Sequence, residues 1–278
     1  MKLPAVVIII ALLINCAGVF AQLPENKSAS KPGTKILPTL DKDFKKNKVI
    51  AHRGAWKNTK TPENSLASLE AAINMGCMGS EVDVHMSSDS AIIINHDPHY
   101  AGLPVQQSTL NALKNIPLAN GESIPVLEDF LRIIQQQKGT RLILEIKPSQ
   151  IGHDWAMATV KKVMDIVQKM KAQPWIIYIS FDYEMCKEIL RIDPNASVQY
   201  LNGDKTPAEL RKDGMTGMNY HYSVYNKHPE WIQQAKDEGL KLNAWTVNDP
   251  QIMKLLLQYG FDYITTNEPE MLFDLLKN

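Results

Sequence analysis

Residues 217–246 read GMNYHYSVYNKHPEWIQQAKDEGLKLNAWT and contain one complete strand–helix–strand unit. The runs Gly217–Tyr220 and Lys241–Thr246 are predicted strands, and Pro229–Glu238 between them is a predicted helix that begins at a proline. Proline is tolerated in the first turn of a helix because the N–H group that it lacks would have no helical partner there. A strand, a helix and a second strand in this order predict two parallel strands covered by the helix.

The same alternation extends over most of the chain. Eight predicted strands begin at Lys48, Glu81, Arg141, Trp175, Ser197, Gly217, Lys241 and Tyr263. A further strand, Ala91–Asn95, is predicted to form a hairpin with the second strand through the turn Ser87–Ser90. Eight strand–helix repeats favour an α/β fold of the closed TIM-type (β/α)8 barrel over an open doubly wound sheet. No GxGxxG or Walker-type loop follows any of these strands, which disfavours a nucleotide-binding fold.

The composition narrows the class of ligand. A length of 278 residues fits one large α/β barrel or two smaller domains. The 30 basic and 30 acidic residues cancel, so the net charge gives no support for binding nucleic acid or an anionic membrane. The sequence therefore favours a small-molecule substrate and excludes nucleic acid as an expected partner, and it does not indicate an oligomeric state.

The N-terminus has the pattern of an export signal. Lys2 supplies a positive charge, Ala5–Ile14 is apolar, and Ala21 is a small residue suited to signal peptidase. We expect residues 1–21 to be a signal peptide and the protein to be periplasmic or secreted. The apolar run is short for a membrane span, so no stable membrane insertion is expected once the signal is removed. The alternative is a lipoprotein acylated at Cys16, although Asn15 stands where a small residue is expected.

The remainder of the chain divides into two parts. Residues 22–45 are rich in proline, serine and lysine and are predicted to be a flexible leader. Residues 46–278 are predicted to form the barrel domain. Cys77 and Cys186 are the two cysteines beyond the signal, and they are expected in separate helices as buried thiols, with a disulfide in an oxidising compartment as the alternative.

Ionisable residues follow several of the apolar strand-like runs. Burying such groups unpaired costs several kcal/mol or more, so a fold places them mainly where they bind something. Functional side chains of a barrel lie at the carboxyl ends of its strands. The residues at these positions are His52, Arg53, Glu81, Asp83, His96, Glu145 and Lys147.

The carboxylates predict a metal site. Residues two apart in a strand share a face, so Glu81 and Asp83 point the same way, and Glu145 is expected beside them from a neighbouring strand. Three close carboxylates repel one another unless a cation offsets them. Ligation by oxygen alone suits Mg²⁺ or Ca²⁺ better than Zn²⁺. The alternative is an ion pair between Glu145 and Lys147 inside the barrel.

The histidines and Trp245 complete the predicted site. Histidine is the usual acid–base group near neutral pH, and His52 and His96 together suggest one proton donor and one proton acceptor. His85 shares a face with Asp83 and is expected to support the site from behind. Trp245 is predicted to form an aromatic wall of the pocket, or alternatively to pack beneath a loop.

A series of motifs in this order resembles the glycerophosphodiester phosphodiesterase family. The match runs from about Ile50 to the C-terminus, and it is specific because several spaced motifs agree. These motifs are HRG, PENS, E-x-D-x-H, HD, IP-x-LE, LEIK, W-T-V-N and ITTNEP, beginning at His52, Pro62, Glu81, His96, Ile124, Leu144, Trp245 and Ile264.

The resemblance implies a TIM barrel with a divalent metal ion. Carried over by position, it implies that His52 and His96 are catalytic and that Arg53 and Lys147 bind phosphate. It also implies that Glu81, Asp83 and Glu145 hold the metal. The segment Tyr100–Leu103 departs from the L-x-R-T-T pattern common in the family, in a region that helps to cover the pocket in relatives.

The expected function is therefore that of an exported, metal-dependent phosphodiesterase. It would cleave glycerophosphodiesters to glycerol 3-phosphate and an alcohol, with the two histidines as general acid and base. One alternative is a phospholipase of a related phosphodiesterase barrel, which would need an exposed apolar rim that the sequence does not supply. Another is a non-catalytic exported protein that captures phosphodiesters, which the presence of both histidines disfavours.

Overall fold

The computed structural model describes residues 44–277, and the central feature is a closed barrel of eight parallel strands. The ninth strand of the sheet, β3, pairs antiparallel with β2 at its outer end. The strands of this sheet are β1 Val49–Ala51, β2 Gly79–Met86, β3 Ile92–Ile94, β6 Arg141–Ile146, β7 Ile176–Ser180, β8 Val198–Tyr200, β9 Gly217–His221, β10 Lys241–Trp245 and β11 Tyr263–Thr266. Around the barrel the order is β1-β2-β6-β7-β8-β9-β10-β11, and β11 returns to β1. The predicted TIM-type barrel is confirmed.

Helices cover the outside of the barrel. They are α1 Leu66–Met75, α2 Leu110–Lys114, α3 Leu127–Ile134, α4 His153–Lys169, α5 Tyr183–Ile192, α6 Pro207–Lys212, α7 Tyr222–Lys227, α8 Glu230–Asp237, α9 Pro250–Gln258 and α10 Pro269–Leu276. The helices α6, α9 and α10 begin with a proline in their first turn, whereas Pro229, the predicted first residue of α8, is the N-cap of that helix. Within residues 44–277, no helix has both the length and the apolarity needed to cross a membrane.

The apolar core has two layers, which follow from the alternation of side chains along each strand. Outward-facing residues such as Val82 and Leu144 pack beneath the helices. The inward-facing apolar residues fill the barrel interior, and they are Ile50, Met78, Ile143, Ile177, Ile179 and Leu201. Gly79 belongs to this inner layer because a Cβ there would lie 2.9 Å from Cγ1 of Ile143. Because these side chains fill the interior, a ligand of the barrel would bind at one of its ends.

An excursion between β2 and β6 contains elements that the sequence does not predict. After β3 the chain forms a two-residue ribbon, β4 His99–Tyr100 with β5 Leu103–Pro104, a 3₁₀ turn at Val105–Gln107, and α2. These pieces pack on a separate apolar cluster that includes Ile93 and Leu113. They are too short for hydrophobic periodicity to reveal, since a period needs several turns or alternations to register.

Several boundaries differ from prediction by one or two residues, and the helix α7 was not predicted. Trp175 does not begin β7 but closes a 3₁₀ turn, Gln173–Trp175, whose proline favours a turn over a strand. At the N-terminal side, Phe44 is buried against Trp175 and beneath the Arg141 guanidinium, so the end of the predicted leader packs on the barrel. The predicted signal peptide, Cys16 and the leader up to residue 43 lie outside the described residues. Cys77 and Cys186 are both buried, as expected, but only Cys186 lies in a helix, because Gly76 ends α1 one residue before Cys77.

Candidate active site

Three carboxylates meet at the carboxyl end of the barrel. Glu81 and Asp83 face inward from β2, and Glu145 on β6 stands in register with Asp83. One oxygen from each residue lies within 4.8 Å of the others, and all three side chains are buried. Asp83 is 1% exposed and Glu81 3% exposed, so water does little to screen their mutual repulsion.

Two cations offset part of this negative charge. The Lys147 Nζ lies 2.7 Å from Glu145 Oε1 and 3.3 Å from Asp83 Oδ1, so the ion pair considered as the alternative to a metal is present. The Arg53 Nε lies 3.8 Å from Asp83 Oδ2. Glu81 is different: its Oε1 is buried and finds no hydrogen-bond partner among the described residues. An all-oxygen set with one uncompensated carboxylate oxygen fits a hard divalent cation.

The pKa values of the three carboxylates reflect the same excess of negative charge. Burial, followed by the charges of Asp83 and Glu145, raises the pKa of Glu81 well above its usual range. Burial and the charge of Asp83 raise the pKa of Glu145 to about 7. Burial alone would raise the pKa of Asp83, but Lys147, His96 and a hydrogen bond from Asn64 outweigh it and lower the value. Without a cation, the cluster therefore resists full ionisation.

The turn after β1 places Arg53 against these carboxylates. Arg53 and Gly54 both have left-handed backbone conformations, with φ of 58° and 83°. A Cβ on Gly54 would lie 2.3 Å from Ser68 Oγ, so only glycine lets the turn approach α1 this closely. The backbone N–H of Arg53 donates to Glu81 Oε2 at 2.8 Å, and its guanidinium donates to Glu63 Oε1 at 2.8 Å. The guanidinium is thus held at the edge of the pocket.

His52 is held by the last strand of the barrel. Its Nδ1 lies 2.8 Å from Oδ1 of Asn267, and because that oxygen only accepts, Nδ1 carries the proton. Nε2 is then unprotonated and lies 3.9 Å from Glu81 Oε2. Burial, followed by the charge of Arg53, lowers the pKa of His52 to about 4. Asn267 is itself positioned by a hydrogen bond from its backbone N–H to Asn248 Oδ1 at 2.9 Å.

His96 has a more open environment. It follows β3, its side chain is 33% exposed, and its Nδ1 lies 2.7 Å from Oδ1 of Asp97. The carbonyl oxygen of His96 lies 3.2 Å from Nε2 of the buried His85, which gives His85 the supporting position that the sequence suggested.

A cavity of about 120 Å³ connects these groups. Its lining includes every predicted site residue except Asp83, which lies behind Lys147 in the carboxylate cluster. Trp245 is a wall of this cavity, as predicted; its Nε1 donates to the carbonyl of Asn219 at 3.0 Å. Phe181 packs edge-on to the Trp245 ring, with centroids 5.3 Å apart. The remaining lining residues are Ile179, Phe181, Leu201, Asn219, Thr246 and Thr265.

Several residues at the site were not predicted individually. Asn64, which lies in the PENS motif, donates to Asp83 Oδ2 at 2.9 Å. Asn267 lies in the ITTNEP motif, but its contact with His52 joins residues more than 200 positions apart in sequence. Asn219 carries a weak signal, since it is a polar residue inside a buried strand.

A parallel barrel with acidic, basic and histidine side chains around one small cavity defines a (β/α)8-barrel enzyme that handles an anionic substrate. The model of the glycerophosphoryl diester phosphodiesterase family matches residues 52–271. The chain therefore belongs to this family and is a phosphoric diester hydrolase.

Similar proteins agree with this assignment. A crystal structure of a glycerophosphodiester phosphodiesterase from Parabacteroides distasonis is 39% identical, covers 84% of this chain and 98% of that chain, and superposes with a TM-score of 0.81. A glycerophosphodiester phosphodiesterase from Caldanaerobacter subterraneus is 26% identical, over 84% of this chain and 98% of its own length. A phosphodiesterase structure from Oleispira antarctica in complex with the product sn-glycerol-3-phosphate is 25% identical, covers 84% and 97% of the two chains, and has a TM-score of 0.70.

Proposed function

We propose that this enzyme hydrolyses glycerophosphodiesters to glycerol 3-phosphate and an alcohol, with His52 and His96 as its proton-transfer pair. The observation that carries the proposal is the single cavity lined by both histidines, by Arg53 and Lys147, and by carboxylates. Family membership supports the reaction class, and the Oleispira relative was crystallised with the same product.

The cationic side chains bind the phosphate directly, and the carboxylates act through a bound cation. Arg53 and Lys147 bind its non-bridging oxygens, and Lys147 is already held between Glu145 and Asp83. Glu81, Asp83 and Glu145 would hold a divalent cation, Ca²⁺ or Mg²⁺, which when bound would polarise the phosphoryl oxygens and offset the negative charge of the transition state. The cation would also compensate the negative charge on the Glu81 oxygen that has no hydrogen-bond partner among the described residues.

The two histidines exchange roles over the reaction. The unprotonated Nε2 of His52 accepts a proton from the glycerol hydroxyl next to the phosphate, and that oxygen bonds to phosphorus. The bond from phosphorus to the leaving alcohol breaks, and His96 protonates the departing oxygen. Water then opens the cyclic phosphate: His96 accepts its proton, its oxygen bonds to phosphorus, and His52 returns a proton to the glycerol oxygen. The net reaction consumes one water and yields glycerol 3-phosphate and an alcohol.

Release of choline from glycerophosphocholine tests the proposal. The purified protein should release free choline with Ca²⁺ or Mg²⁺ present, and excess EDTA should abolish the release. Activity on intact phosphatidylcholine but not on glycerophosphocholine would indicate the phospholipase alternative. Binding of glycerophosphocholine without release of choline would indicate a capture protein.

We also propose that the protein is exported, because residues 1–21 have the composition of a cleavable signal. N-terminal sequencing of exported protein should begin at Gln22, and its intact mass should carry no lipid. A chain that begins at an acylated Cys16 would instead indicate a membrane-anchored enzyme.

A further inference from the structure

Asn219 lies across the barrel from the carboxylate cluster. It is the third residue of β9, and β9 is four strands from β2 in either direction around the eight-stranded ring. Both Asn219 and Glu81 line the same cavity. A ligand whose phosphate lies against Arg53 and Lys147 therefore extends its other end toward Asn219.

The side chain of Asn219 has an acceptor without a partner. The residue is 1% exposed, and its Oδ1 makes no hydrogen bond to any described residue. Its backbone cannot easily shift to relieve this, because β9 pairs in register with β10 and the Asn219 carbonyl accepts from Trp245 Nε1. A buried acceptor left unpaired is costly, so this oxygen is suited to a donor that arrives in the cavity.

The surroundings of Asn219 indicate which donor that is. On this side the cavity is lined by uncharged residues, namely Ile179, Phe181, Leu201, Trp245 and Thr265. The Thr265 hydroxyl already donates to Asn243 Oδ1 at 3.3 Å. Apolar walls with one free acceptor suit a small neutral group that carries a hydroxyl.

We propose that Asn219 is a specificity-determining residue that accepts a hydrogen bond from the terminal hydroxyl of the glycerol moiety. This inference rests on the proposed function and assigns the glycerol, not the leaving alcohol, to the neutral side of the cavity. The hydroxyl next to the phosphate remains free to act as the nucleophile. A diester that lacks the terminal hydroxyl would leave the Asn219 oxygen buried and unpaired when it binds.

The test compares two substrates that differ only in that hydroxyl. One is glycerophosphocholine, and the other is 2-hydroxypropyl phosphocholine, in which the terminal CH₂OH is replaced by CH₃. For the wild-type enzyme kcat/KM should be about 10–100-fold higher with glycerophosphocholine. Asn219→Leu preserves the approximate size of the side chain. It should lower kcat/KM for glycerophosphocholine by about 10–100-fold and leave kcat/KM for the analogue within about 3-fold of the wild-type value, so the preference between the two substrates disappears.

Gln199→Met is the matched control. Gln199 on the adjacent strand β8 is also buried with an unpartnered Oε1, but it does not line the cavity, so this variant should keep the wild-type preference. If Asn219→Leu fails to fold, Asn219→Ser, whose hydroxyl is too short to reach, should lose the preference in the same way. A wild-type preference in a folded Asn219 variant, or an equal loss in Gln199→Met, would overturn the assignment. A wild-type enzyme that cleaves neither diester would instead overturn the proposed function on which it rests.

Discussion

His52 and His96 occupy environments that suit opposite tasks. His52 is mostly buried, its Nδ1 proton is directed to Asn267, and its free Nε2 lies 3.9 Å from Glu81 Oε2. His96 is more exposed, and its Nδ1 lies 2.7 Å from Oδ1 of Asp97. Residues of the same type thereby acquire different chemistry from their neighbours.

Removal of either ring should be severe. His52→Ala and His96→Ala should each lower kcat for glycerophosphocholine by roughly 10²–10⁴-fold, the usual contribution of one proton transfer. His153→Ala and His228→Ala, which change histidines remote from the cavity lining, should retain wild-type activity in the same assay. The assignment is wrong if the remote variants lose activity and these two do not.

The raised pKa of Glu145 should be visible in stability. A carboxyl whose pKa is higher in the folded state contributes stability below its unfolded pKa, and this is lost as pH rises through the folded value of about 7. In EDTA, the free energy of unfolding should therefore fall between about pH 4.5 and 8. Glu145→Gln should remove part of this decline, on the order of 1–3 kcal/mol by urea denaturation at several pH values. Glu70→Gln, on an exposed part of α1, should retain the wild-type profile.

The sequence predicts the charged residues of the site better than the neutral ones. Glu81, Asp83 and Glu145 stand out because carboxylates inside apolar strands need an explanation, and strand periodicity places them on one face. Asn267 and Asn219 do not stand out, since amides are common in loops and strands. Their positions at the site depend on ring closure and on contacts between distant parts of the chain, which periodicity does not encode.

The N-terminus of α1 is an element on which the site depends. Ser65 caps this helix by accepting from the Ser68 N–H at 3.0 Å, and Glu122 from the excursion after β3 accepts from the Leu66 N–H at 3.0 Å. The residue before the cap, Asn64, holds Asp83. The position of the N-terminus of α1 therefore determines where Asn64 holds the Asp83 carboxylate.

Loss of the cap should weaken the fold measurably. Ser65→Ala should lower the free energy of unfolding by about 0.5–2 kcal/mol in urea, because it leaves the Ser68 N–H unpaired in a buried position. Thr109→Ala at the exposed cap of the short helix α2 is a useful comparison and should cost less. An unfolding free energy equal to wild type in Ser65→Ala would contradict the capping role.

The elements that the sequence did not predict, such as α2 and α7, are all short. The strands of the barrel and helices such as α4 repeat an apolar pattern several times, and the sequence predicts them with small errors at their ends. The β4–β5 ribbon and α2 are held by Ile93 and Leu113, which pack against residues from other parts of the excursion. Their stability comes from tertiary contacts, so local sequence did not indicate them.

At the scale of the whole molecule, the barrel should fold without its metal. The apolar interior lies beneath the carboxylates and does not include them, so chelation leaves the main core intact. The EDTA-treated protein should keep its far-ultraviolet circular dichroism and lose its activity. Ca²⁺ or Mg²⁺ at about 100 times its Kd should stabilise it by about 2.7 kcal/mol, which raises Tm by roughly 5–10 °C.

Variants of the three carboxylates test whether the rise in Tm comes from a cation bound at this site. Glu81→Ala, Asp83→Ala and Glu145→Ala should each lose most activity and show little or no rise in Tm on addition of the cation. A rise of wild-type size in all three variants would place the metal elsewhere.

The contact between His52 and the end of the barrel has a consequence for how the protein is made. The backbone N–H of His52 donates to the carbonyl of Thr266, and its ring is oriented by Asn267, yet ribosomes synthesise His52 long before either residue. A nascent chain lacks both contacts until β11 has emerged, so its first histidine has no fixed tautomer or direction. Catalytic competence is thus postponed to the final stage of synthesis, and a prematurely terminated polypeptide that ends before Thr266 would be inert.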